Sequence, residues 1–119
     1  LNYLAYSWID RGINIDKGLK MLKKAIELKK DDGYIIDSLG WAYFAKKNYI
    51  EAELFLEKAV QLLPLEPIIS DHYADSLWML NKNIQARHVW NQVIKLDNTE
   101  EELKDSIRRK LIFGISKEL

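Results

Sequence analysis

The chain has 119 residues, 48% hydrophobic, 30% charged and 11% aromatic, the balance of one globular or repeat domain. Eighteen Lys plus Arg against eighteen Asp plus Glu leave a formal charge of zero, so no global field draws the molecule to nucleic acid or an anionic surface. The lack of cysteine removes disulfides, thiolate nucleophiles and Cys-ligated zinc, and no apolar run approaches the ~18 residues of a membrane span.

Five Gly and two Pro, the latter at Pro64 and Pro67, leave little material for turns. Apolar residues recur at spacings of three and four, and no stretch alternates with period two for long enough to make a sheet. In chain order the pattern predicts helices over 1–11, 15–29, 34–46, 49–62, 67–81, 83–96 and 99–113. Leu19, Leu22 and Ile26 carry the second, Leu39 and Tyr43 the third, and Leu56, Ala59 and Leu63 the fourth. The short connections require successive helices to fold back antiparallel. At the last helix, Thr99 with Glu102 has the form of a capping box, and Glu100 and Glu101 suit a positive helix N-terminus. Its apolar stripe is Leu103, Ile107 and Leu111, with Lys104, Asp105, Arg108, Arg109 and Lys110 assigned to the remaining, water-facing surface.

A shift of 34 superimposes Gly40 on Ala74, Tyr43 on Leu77, Ala52 on Ala86, Leu56 on Trp90 and Ala59 on Val93. Small residues meet small ones and large apolar residues meet large ones. Such a period indicates stacked helical units, each too small to bury its apolar face alone, with the small residues allowing close helix approach.

On Leu39-Gly40, Tyr43, Asn48-Tyr49, Ala52, Leu56, Ala59 and Pro64 the chain resembles the tetratricopeptide repeat, or TPR. A second copy runs through Tyr73-Ala74, Leu77, Ala86, Trp90 and Val93, with Ser70 and Asn98 replacing the usual apolar residue and Pro. The first copy carries Leu4-Ala5, Trp8, Gly18, Leu22 and Ala25, with one extra turn residue around Asn14 and Lys30 near the usual Pro position. The resemblance implies an all-α superhelix, a solenoid of three TPR hairpins at about 1–32, 33–66 and 67–98, closed by a capping helix at about 99–113. Leu1 falls where the family's first helix has already begun, so the chain is expected to be an excised or processed piece of something longer. Leu4-Ala5-Tyr6, Asp37-Ser38-Leu39-Gly40-Trp41 and Ala86-Arg87 with Trp90 are also similar to the carboxy-terminal repeats of long bacterial TPR adaptors and envelope lipoproteins. The expected setting is a soluble domain, cytoplasmic or in the bacterial periplasm or envelope.

The same resemblance implies a non-catalytic protein-interaction module in which the first helix of each pair lines a concave groove for a peptide or protein segment. The positions carried over are Asn2, Tyr6, Ile9 and Asp10; then Tyr34, Asp37, Ser38, Trp41 and Phe44; then Ile68, Asp71, His72, Asp75, Trp78 and Met79. The set is aromatic and acidic. It holds no Lys or Arg, whereas the chaperone-binding subclass grips a terminal carboxylate with paired Lys, Arg and Asn; Asn2 and Tyr6, Ser38, and Ile68 and His72 stand at those positions here, which argues against an acidic chaperone tail. Aromatic anchors offer large contact area at low entropic cost. Asp37, Asp71 and Asp75 would favour a neutral or basic partner with apolar anchors. Two bland alternatives stand beside this: the aromatic residues seal neighbouring repeats, and the Asp residues are ordinary solvated or helix-start positions.

Lys17, Lys20, Lys23, Lys24, Lys29 and Lys30 form a basic run on the second helix, but they wrap several directions without interleaved Arg or aromatic residues, so a solvated face is expected rather than a nucleic-acid site. His72 and Asp75 share a helix face, yet no nucleophile or oxyanion donor set accompanies them. His72 and His88 do not match a helical zinc or di-iron spacing, and the five Gly are too scattered for a phosphate loop. No enzyme activity, metal or cofactor is expected. The alternative to peptide binding is a structural role, with repeat 1 docking on preceding repeats or on a second copy through Leu1, Tyr3, Leu4 and Trp8.

Overall fold

The computed structural model describes residues 3–117, and among these it contains seven helices and no strand. They are α1 (Tyr3–Asp10), α2 (Ile15–Leu28), α3 (Gly33–Ala45), α4 (Tyr49–Leu62), α5 (Pro67–Met79), α6 (Asn83–Lys95) and α7 (Glu101–Phe113). Each helix expected from the apolar spacing is present, within about two residues at its ends, the first two positions of the expected first helix lying outside the described residues. Three hairpins, α1–α2, α3–α4 and α5–α6, pack in succession, and α7 lies against the last. The fold is an all-α array of stacked helix pairs.

The 34-residue period extends to individual hydrogen bonds. In the α3–α4 turn the amide of Lys47 donates to the Phe44 carbonyl and that of Asn48 to the Tyr43 carbonyl, both at 2.9 Å. In the α5–α6 turn Asn81 donates to Trp78 and Lys82 to Leu77, again both at 2.9 Å. Lys47 and Asn81 adopt the left-handed conformation, φ 64° and 65°, and the paired bonds that satisfy the helix-terminal carbonyls offset its cost. The α1–α2 turn, residues 11–14, is one residue longer than the other two, and places Gly12 and Asn14 at positive φ.

Close helix approach is visible at Gly40, where an added Cβ would lie 2.6 Å from Leu56 Cγ and 3.2 Å from the Leu56 backbone nitrogen. Thirty-four residues on, Ala74 and Trp90 occupy the same core cluster, both fully buried. The core is three adjoining clusters: Ala5, Ile9, Leu19, Leu22, Ile35, Leu39 and Ala42; then Ile36, Ala59 and Ile69; then Ala74, Leu77, Ala86, Trp90, Val93 and Ile107. Each hairpin therefore completes its core only with its neighbour, the behaviour of stacked repeats. α3 starts at a true side-chain cap, with Asp32 Oδ1 accepting from the amides of Tyr34 (2.9 Å) and Ile35 (3.2 Å). Pro67 opens α5 with its φ already fixed for a helix.

The capping box expected at Thr99 does not form. The N-cap of α7 is Glu100, without a side-chain cap bond. Thr99 is buried and turned the other way, its hydroxyl donating to the Val93 carbonyl at 2.6 Å. The Val93 carbonyl, near the end of α6, accepts only one backbone bond, from the Leu96 amide at 3.1 Å, and the buried Thr99 hydroxyl fills its second acceptor site.

Candidate functional site

The first helices of the three hairpins share one face, and at their N-terminal ends they enclose a cleft of about 330 Å³. α1 contributes Tyr3 and Tyr6, α3 contributes Tyr34, Asp37 and Ser38, and α5 with its N-cap contributes Ile68, Ile69 and Glu66. The Tyr34 hydroxyl donates to Glu66 Oε1 at 2.9 Å, tying α3 to the start of α5. This bond raises the Tyr34 phenol pKa above its ordinary value. Tyr6 is half-buried, and burial first, then the charges of Asp10 and Asp37, push its phenol up to about 12. Both phenols thus remain neutral hydrogen-bond donors near neutral pH. The cleft wall is mostly apolar, with Tyr34 and Ile68 still 45% and 47% exposed.

Farther along the same face the side chains turn on each other. Asp37 Oδ1 lies 2.9 Å from His72 Nδ1, linking α3 to α5, with both side chains buried. The His72 ring stacks on Trp41 at 3.8 Å between centroids, Trp41 stacks on Phe44 at 4.5 Å, and Phe44 meets Tyr49 edge-on at 5.1 Å. Burial alone would lower the His72 pKa; Asp37, with Asp71 and Asp75 behind it, outweighs that and raises it. The Ser38 hydroxyl donates back to the Tyr34 carbonyl at 3.1 Å.

Beyond His72 the face is covered by α7. Lys110 Nζ donates to Asp71 Oδ1 at 2.8 Å and to Asp75 Oδ1 at 2.9 Å. Asp71 Oδ1 also accepts from Trp90 Nε1 at 3.1 Å, and Lys110 lies 5.4 Å from the Trp90 ring centre. Burial, reinforced by the neighbouring Asp71, pushes the Asp75 carboxyl up to about 6, against the opposing pull of Lys110. For Lys110 burial works downward, and the two carboxylates together override it and hold the ammonium above its ordinary pKa. Trp78 Nε1 donates to the Ile115 carbonyl at 3.2 Å.

Of the positions carried over from the sequence, Tyr6, Tyr34, Asp37, Ser38 and Ile68 come together in the cleft. Trp41 and Phe44 are half-buried in the aromatic stack that starts at His72. Asp71, Asp75 and Trp78 lie against α7 and the segment after it. Ile9 is buried, Asp10 exposed and Met79 half-buried, while Asn2 lies outside the described residues. The expectation that Asp37, Asp71 and Asp75 offer free negative charge to a partner is corrected here. All three are buried and already matched inside the chain, Asp37 by His72 and the other two by Lys110. Sequence reasoning missed Tyr3, Glu66 and Ile69 in the cleft wall. Glu66, between Pro64 and Pro67, read as a turn, and its role as the N-cap residue of α5 is what carries it to the rim.

The lysines of α2 make local contacts, Lys17 over the Trp8 ring at 5.3 Å and Lys23 over Tyr43 at 5.8 Å. His88 is exposed on α6. Among the described residues no three His, Asp or Glu side chains converge as a metal ion would require.

With a hairpin repeated at 34 residues down to its turn hydrogen bonds, a family comparison has a clear geometric counterpart. The tetratricopeptide repeat model matches residues 35–64, which run from the third residue of α3 through the following turn and α4. The chain carries a tetratricopeptide repeat there. A TPR repeat-containing protein of Pseudomonas aeruginosa is 34% identical over 64 residues, 54% of this chain and 11% of that protein. The chain spans about a tenth of the length of this curated relative. Tetratricopeptide repeats mediate protein–protein interaction and are typically non-catalytic.

Proposed function

We propose that the chain is a protein-interaction module and that the cleft between α1, α3 and α5 holds a segment of another polypeptide. The units at about 1–32, 33–66 and 67–98 act in this reading as three successive tetratricopeptide repeats, each lending its first helix to one groove. The observation that carries it is the contrast along a single face. The half at Asp71, Asp75 and Trp78 is filled by the chain's own α7, whereas the half at Tyr6, Tyr34 and Ile68 keeps an open, largely apolar cleft. Tyrosines able to donate hydrogen bonds beside exposed aliphatic carbons suit a backbone with one or two apolar anchors. With the buried carboxylates already paired inside the chain, preference for a neutral or basic flank rests on Glu66 at the rim and on the exposed Asp10. Binding of this kind needs no cofactor, metal or covalent step.

Selection of a random dodecapeptide library on the chain tests the reading. Selected peptides are expected to share an apolar anchor and to lose about thirtyfold in affinity on Tyr34→Ala or Ile68→Ala, the size of a hot-spot loss near 2 kcal/mol. Exposed His88→Ala on α6 should leave them unaffected. Peptides that bind all three variants equally would remove the cleft from the account.

A second reading, docking of the first hairpin on preceding repeats or on another copy, is favoured by Tyr3 and Leu4, 75% and 54% exposed at the outer edge of α1. Concentration-dependent sedimentation of the chain is its signature.

A further inference from the structure

Ser70 and Asn98, which stand where the repeat pattern has an apolar residue and a proline, meet at one place. It is a groove of about 410 Å³ between α4 and α6, the second helices of their hairpins. Val60 of α4 and Val89 and Val93 of α6 form its walls, Ser70 and Tyr73 of α5 its floor, and Leu65 of the α4–α5 connection its rim. The Asn98 side-chain amide donates to the Leu65 carbonyl at 3.2 Å and fixes that rim.

The preceding repeat shows why the groove is open. Thirty-four residues before Ser70 stands Ile36, 2% exposed, which fills the corresponding junction together with Ile26 of α2 and Phe55 and Ala59 of α4. Phe55 also stacks on Tyr43 at 5.5 Å, and one period later these two aromatic residues have become Val89 and Leu77. Val93 in place of Ala59 returns only part of the lost volume. Tyr73, in place of Leu39, is held as a wall by its hydroxyl, which reaches out to the exposed Glu57 at 3.4 Å.

The hydroxyl of Ser70 points to what the groove would take. Ser70 is 7% exposed and makes no side-chain hydrogen bond among the described residues. Ser38, Ser76 and Thr99, buried like it, each donate to a backbone carbonyl instead. No fully enclosed side-chain polar atom among the described residues is orphaned, so Ser70 Oγ opens on the groove rather than into the core. A hydroxyl in so enclosed a place gains from a partner that an occupant brings with it. None of the residues lining the groove is charged, and a charged ligand would leave water there with no counter-ion. Beside Ser70 and Tyr73, only Gln92 adds a polar side chain, too little to answer the donors and acceptors of a polypeptide backbone. The volume is that of a pocket for a small molecule.

We propose that the groove between α4 and α6 binds an uncharged small amphiphile, its hydrocarbon body between Val60, Val89 and Val93 and a single hydroxyl or carbonyl on Ser70 Oγ. This site is separate from the cleft at Tyr6 and Tyr34 and does not depend on it.

The probe is p-cresol, titrated into the isotope-labelled full chain, with p-toluate as its charged counterpart. Saturable amide shifts are expected in 60–65, 70–73 and 89–96, and p-toluate should bind more weakly by about tenfold or more. Ser70→Ile puts back the filling residue of the preceding repeat, and Val89→Phe puts back its ring. Each should weaken p-cresol by about tenfold or more without lowering the urea midpoint, because the space they fill is spare. Ser70→Ala keeps the space, removes the hydroxyl and should cost about fivefold in affinity. The proposal is overturned if p-cresol gives no saturable shifts in those segments, if p-toluate binds as well, or if Ser70→Ala binds p-cresol as tightly as the parent. Unchanged binding in both filled variants would overturn it too, and so would loss of the fold in both, which would mean that the space is not spare. A library-selected peptide displaced by p-cresol would overturn the ligand class and assign the groove to a polypeptide.

Discussion

His72 joins two helices through one ring. Its Nδ1 meets Asp37 of α3 at 2.9 Å, its face lies on Trp41, and Asp71 and Asp75 of α5, with Lys110 of α7 answering them, complete the charges around it. Because the folded chain raises the His72 pKa above 6.5, the protonated ring stabilises the fold. That contribution is full below 6.5 and is lost as pH climbs through the raised folded value. Asp75 acts in the same direction, since a carboxyl that moves from 3.8 to about 6 on folding adds stability as pH falls through that interval and loses it on the way back up. The urea midpoint is therefore expected to fall between pH 6 and pH 8.5, and His72→Gln should flatten most of the fall above pH 6.5. A variant with the parent's full pH dependence would show that the ring is not the titrating group. None of this pairing was legible in the residue spacing. His72 and Asp75 sit on one helix face and read as a local pair, whereas the actual partner, Asp37, lies 35 residues away. Local periodicity reports which side of a helix a residue takes, and cross-helix polar partners depend on register between helices.

At the scale of elements the reading was far more complete. Seven helices and their approximate ends follow from apolar residues every three or four positions, because that spacing is what helix burial requires. The α7 start shows its limit. Thr99-x-x-Glu102 has the composition of a capping box, yet the hydroxyl satisfies the end of α6 instead. The two arrangements have different consequences. The structure predicts that Thr99→Ala costs about 1 kcal/mol by orphaning part of the Val93 carbonyl's bonding, while Glu102→Ala, exposed and outside any cap bond, changes stability by less than about 0.5 kcal/mol. Equal losses from both in urea denaturation would restore the capping box. Lys110 was similarly misplaced. It lies beside Leu111 and three residues after Ile107, at the border of the apolar stripe, and a long aliphatic stem lets such a residue carry its charge inward as readily as outward. The buried carboxylates on α5 decide the direction, and they belong to another element.

For the whole molecule, a single face runs across α1, α3, α5 and α7 and is used in two ways. Its later half is closed by matched charges and by α7, and its earlier half remains open around Tyr6, Tyr34 and Ile68. The resemblance to the tetratricopeptide repeat implied this face in advance, and Tyr6, Tyr34, Asp37, Ser38 and Ile68 line one cleft on it. Which half stays open was not legible, because it depends on how far α7 and its strap fold back over α5. The most direct measurement is amide chemical-shift mapping of the labelled chain titrated with a library-selected peptide. The account predicts that the largest shifts fall in 3–10, 34–41 and 66–69, with α2, α4 and α6 little changed. Shifts concentrated on the outward faces of α2, α4 and α6, with the cleft residues still, would contradict it.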